Sequence, residues 1–126
     1  MRVAGTLQLV LGAAFWTGHA YALLPLHIIS GVVIVVTLWT VAVLAIIART
    51  RRRLAWFSLV WGLALPALGM PQASVLVGSL HWIIRVLHLV MGLAAMGMAA
   101  TLGQAILIAR PERATKAKRE PVSAAP

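Results

Sequence analysis

Four apolar stretches divide the chain, and polar residues gather in the gaps between them. Residues 3–22, 25–48, 54–70 and 79–109 carry a single charged side chain among them, Arg85. Each stretch approaches or exceeds the ~20 residues that a helix needs to cross a hydrocarbon core. Pro25 opens the second stretch, where proline is tolerated in a first helical turn. The run "RTRRR" closes it. The third is the shortest, weakened after Pro66 and Gly69 and followed by the turn-like "MPQAS". Ser79 is a candidate N-cap for the fourth, which is longer than a bilayer requires and is expected to tilt or protrude. The pattern predicts an all-α, antiparallel four-helix bundle, integral to the membrane, over residues 1–110. Residues 111–126 form a basic, alanine-rich tail that is expected to be disordered.

Composition supports that picture. Of 126 residues, 62% are hydrophobic and 10% charged. A soluble domain this small has too little interior to hide so much apolar surface. The repeated apolar runs argue for a multi-pass protein rather than a cleaved leader. The net charge of +9 raises nucleic acid as a partner, but the charges flank the apolar runs. Arg49, Arg51, Arg52 and Arg53 share one loop, and Arg110, Arg113, Lys116, Lys118 and Arg119 share the tail. With Arg2, both clusters fall on one side of a four-span arrangement. The excess of cations on cytoplasmic loops puts both termini in the cytoplasm, against anionic lipid. Nucleic acid is set aside as a partner.

There is no cysteine, which excludes thiolate metal sites, iron–sulfur clusters and covalent haem attachment. There is no aspartate, so no Ser/His/Asp set exists, and no phosphate-binding loop is present. Whether the chain is an enzyme is left open.

The candidate chemistry lies in the histidines. His19, His27, His81 and His88 all fall near the outer end of their spans, which topology does not require. The second span holds "LHIISG" and ends "AIIAR"; the fourth holds "LHLVMG" and ends "ILIAR". His27 to Arg49 and His88 to Arg110 are each 22 residues. This is an internal repeat of two hairpins. It sets His27 and His88 at one depth, about 33 Å from the arginine end at 1.5 Å per residue. An axis along the membrane normal would face them toward each other. Coincidence among repetitive Leu, Ala and Val is the competing explanation.

Two imidazoles on facing helices are what bis-histidine haem ligation requires. His27 and His88 are the candidate axial ligands, and Gly31 and Gly92, one turn below each, would make room for a flat ring. Arg85 has no protein carboxylate in reach, since Glu112 and Glu120 lie in the tail. Its candidate partner is a haem propionate, with a lipid phosphate as the plainer alternative. His81 and His19 are candidate contacts for a propionate, a second cofactor or a quinone; interfacial exposure is the plainer reading of each. Ala95, Ala99 and Gly103 continue the stripe as small-residue packing, inside the bundle or across a homodimer.

This arrangement resembles small bacterial membrane-bound b-type cytochromes, such as the cytochrome b561-like group. The resemblance covers the four-span plan and the two histidines with their glycines. It implies a bacterial inner-membrane protein holding haem b and transferring single electrons with a quinone or an outer-side redox protein. Members of that group commonly hold two haems at different depths. No histidine lies in the inner half here, which favours one haem over two. Three alternatives remain: a divalent metal at the same histidines, bacteriochlorophyll, and a cofactor-free assembly or scaffold subunit. A proton- or cation-coupled carrier is disfavoured, because no span contains a carboxylate.

Overall fold

A computed structural model describes residues 2–18 and 21–119. It is all-helical: α1 (Arg2–Trp16), α2 (Leu24–Ile47), α3 (Arg52–Gly69) and α4 (His81–Arg119), with single 3-10 turns at Tyr21–Leu23 and Pro71–Ala73. Two stretches, Tyr21–Ile47 and His81–Ala109, are long and apolar enough to cross a membrane.

The boundaries have local causes. α1 ends at Trp16, earlier than the apolar run suggests. The Thr17 hydroxyl donates to the carbonyl of Ala14, and Gly18 takes a positive φ of 81° that turns the chain out of the helix. Pro25 occupies the first turn of α2, where its missing N–H costs nothing. α2 closes in a Schellman motif: Thr50 N–H donates to Ala45 and Arg49 N–H to Ile46. The residue in the left-handed position is Arg49, at φ 53°, where glycine is the usual occupant. Arg51, at φ 42°, then starts α3.

α4 departs most from expectation. It continues through Pro111 to Arg119, where the charged tail was expected to lack structure. The reason is composition: Glu, Arg, Ala and Lys dominate residues 112–119, and all are strong helix formers.

Contacts set the topology. Between α3 and α4, Trp61 meets Met91 and Ser58 meets Met98, so residue numbers run in opposite senses. Trp39 likewise joins α2 to the carbonyl of Leu59 in an antiparallel α3. α2 and α4 run the same way. Buried Ser30, Ile34 and Leu38 of α2 fall 61 residues before buried Met91, Ala95 and Ala99 of α4, the same offset that separates His27 from His88. The repeat seen in the letters is therefore also a repeat in burial.

The interior is built from small side chains. Ala42, Ala45, Ala55 and Ala95 are completely buried, packed around Leu38 and Leu102. Large apolar residues face outward instead: Ile47, Val60 and Ile108 are each more than two-thirds exposed. Small residues let helix backbones approach closely. An outer surface this apolar is rare on a protein bathed in water. Ala95 and Ala99 are used inside the bundle, whereas a side chain at Gly103 would point into open space among the described residues.

Candidate functional site

His27 and His88 come together. Their ring centroids lie 6.5 Å apart at an interplanar angle of 46°, one ring from α2 and one from α4. Parallel helices held in the 61-residue register bring them to one level. Both rings are half-buried, and in each the Nδ1 is buried with no hydrogen-bond partner among the described residues. Unpaired buried nitrogens are uncommon, and a bound ion or ligand is one of the standard reasons for them.

Each ring is held by a neighbour. The edge of Phe15 in α1 meets His27, with centroids 5.3 Å apart and planes at 73°. Tyr21 in turn stacks on Phe15, with centroids 6.0 Å apart. His88 lies against the backbone of Gly69, the last residue of α3; a Cβ there would stand 2.8 Å from its Cε1. One heptad earlier on α3, Gly62 receives the Trp39 indole in the same manner. Trp61 donates to the carbonyl of Met91, 3.0 Å away, and fixes α4 one turn below His88.

The other expected site residues are placed as follows. Gly31 is taken up by Gln8 of α1: a Cβ on Gly31 would stand 2.8 Å from the Gln8 Nε2. Gly92 has open space over it: among the described residues no atom outside its own stretch of helix lies within 4 Å of where a Cβ would be. Arg85 is half-buried on α4, three residues before His88, and makes no hydrogen bond or ion pair among the described residues. His81 stands at the start of α4, its Nδ1 3.2 Å from the carbonyl of Val75, and so ties down the loop before it. The structure thus gives this ring a role in loop closure. His19 lies outside the described residues.

The sequence pattern marks neither Gln8 nor Phe15 as a site residue, and Gly69 only as the weak end of the third apolar run. Gln8 carried one legible signal, an amide in the middle of an apolar run. Phe15 and Gly69 matter only through contacts from other helices, which no local pattern encodes.

Two imidazoles sharing one metal atom have ring centroids about 6 Å apart, given metal–nitrogen bonds of ~2 Å and ~1 Å from ring centre to nitrogen. The observed 6.5 Å matches that spacing. The pair also fits in number: a macrocycle supplies the equatorial nitrogens, so two protein ligands suffice. A metal ion held by protein side chains alone usually needs three or four. No group of three or more His, Cys, Asp or Glu side chains exists among the described residues.

No protein-family model, curated protein or solved structure matches this chain.

Proposed function

We propose that the chain is a four-span membrane protein that holds one haem b between His27 and His88 near the outer face and carries single electrons. The observation that carries the reading is the facing pair itself, 6.5 Å between centroids, on parallel helices held in one register. Haem b, when bound, supplies a reversible one-electron couple.

The chain's own residues do the rest. His27 and His88 would hold the group, one ring from each of two helices in parallel register. Phe15 and Gly69 fix the two rings from outside the pair. Open space over Gly92 leaves room beside His88 for a flat group. Arg85, half-buried and without a partner among the described residues, is the cation available to a propionate.

The orientation follows from charge and aromatic residues. Exposed Arg49, Arg51, Arg52 and Arg53 mark the cytoplasmic end of the bundle. Exposed Trp16 and Trp82 mark the outer boundary and exposed Trp56 the inner one. A group held at that level would lie near one face, within reach of a quinone or an outer-side redox protein as electron partner.

The test is a reduced-minus-oxidised absorption spectrum of the protein purified in detergent. A bis-histidine b-type signal is expected, and His27→Ala or His88→Ala should abolish it. No such signal in the wild type, even after haem is added, overturns the proposal.

A further inference from the structure

Three buried side-chain polar atoms lack a hydrogen-bond partner among the described residues: Gln8 Oε1, His27 Nδ1 and His88 Nδ1. They are not scattered. Gln8 lies against Gly31, one turn along α2 from His27, and His27 faces His88. The other polar side chain in the apolar part of α1, Thr6, is exposed, whereas Gln8 turns inward. A leucine at this position would avoid the cost of burying an unpaired amide. The amide stands where two imidazoles are also unsatisfied among the described residues.

The three atoms complement one another. A neutral imidazole has one N–H and one nitrogen lone pair. Coordinating a metal uses the lone pair, so the N–H is left on the other nitrogen and requires an acceptor. Gln8 Oε1 is the one oxygen of the three. The nearby Ser30 hydroxyl is already committed, donating to the carbonyls of Leu26 at 2.9 Å and His27 at 3.1 Å. Arg85 can only donate.

We infer that Gln8 is a third member of the site: its Oε1 accepts the Nδ1–H of His27, directly or through one water, when His27 coordinates through Nε2. This rests on the haem reading above. Gln8 is then a positioning residue, acting on the ligand through His27 by fixing its tautomer and ring orientation. By drawing on the N–H it also makes His27 a stronger donor, which favours oxidised iron.

The test is haem titration and redox potentiometry of the full chain in detergent, for wild type, Gln8→Met and Gln8→Glu. Methionine keeps the length but removes the acceptor; glutamate keeps an oxygen. Gln8→Met should bind haem about 10- to 100-fold more weakly, with a raised midpoint potential. Gln8→Glu should keep wild-type affinity. Unloaded Gln8→Met should melt no lower than unloaded wild type, because an unsatisfied amide has been removed. Wild-type affinity and potential in both variants overturn the inference and leave the haem reading standing. Weaker binding in Gln8→Met with a lower melting temperature of the unloaded protein makes Gln8 a packing residue and also overturns it. A wild type that takes up no haem overturns the underlying reading, and the wild-type titration alone reveals that case.

Discussion

The backbone of Gly69 lies against the imidazole of His88, so close that a single added methyl would stand 2.8 Å from Cε1. The end of α3 therefore sets where the His88 ring can be. Gly69→Ala should displace the ring, the more movable partner, and leave the helices in place. Overpacking of about 1–3 kcal/mol is offset in part by about 1 kcal/mol of gained helix propensity. Thermal unfolding should change little, while haem affinity falls by ~10-fold or more, as for lost support of a ligand. An unchanged haem titration would refute the assignment.

Trp61 is the second support of α4 near the site. Trp61→Phe keeps an aromatic ring but removes the hydrogen bond to Met91. The expected loss is about 0.5–1.5 kcal/mol, read as a lower midpoint in detergent unfolding. Trp39→Phe should behave alike through its bond to Leu59.

Arg49 occupies a left-handed position that favours glycine. Arg49→Gly should relieve about 1–2 kcal/mol of backbone strain, less about 0.3–1 kcal/mol for losing a cation at a helix C-terminus. A small rise in melting temperature is predicted. Arg52→Ala, inside α3, should show no such gain.

His81 is tied to Val75 rather than to the histidine pair. His81→Ala should loosen the loop before α4 and speed its cleavage in limited proteolysis. The haem spectrum should survive. Loss of the spectrum would make His81 a ligand contact after all.

Much of this was readable in the letters, and the exceptions are instructive. Helices α2 and α3 begin and end within a few residues of their apolar runs, because proline and arginine punctuate them. α1 stops early because Gly18 turns the chain, and an apolar run through Ala22 conceals that turn. α4 runs on because helix propensity prevailed over charge in its last turns. The facing of His27 and His88 was legible as a repeated spacing, since equal distances along parallel helices mean equal depth. The glycines expected to flank a ring were not equivalent: Gly31 receives Gln8, Gly92 faces open space, and it is Gly69 that meets an imidazole. Such contacts depend on how helices rotate against one another, which the hydrophobic pattern of α1 and α3 leaves undetermined.

The shortness of α1 has a consequence for the surrounding lipid. Its 15 residues span about 22 Å, against a hydrocarbon thickness of ~30 Å. Phe15, next to its last residue, touches His27, and Gly5 lies against Met96, so α1 reaches the level of the histidine pair and falls short at the arginine end of α2 and α4. In the proposed orientation, inner-leaflet acyl chains beside the start of α1 must shorten or tilt, or headgroups and water must rise toward it. The thinning is thus confined to the face opposite the pair. Reconstitution into lipids of stepped chain length should shift the unfolding of the bundle and leave the midpoint potential unmoved, while a detergent micelle, which adapts its shape, would hide the effect.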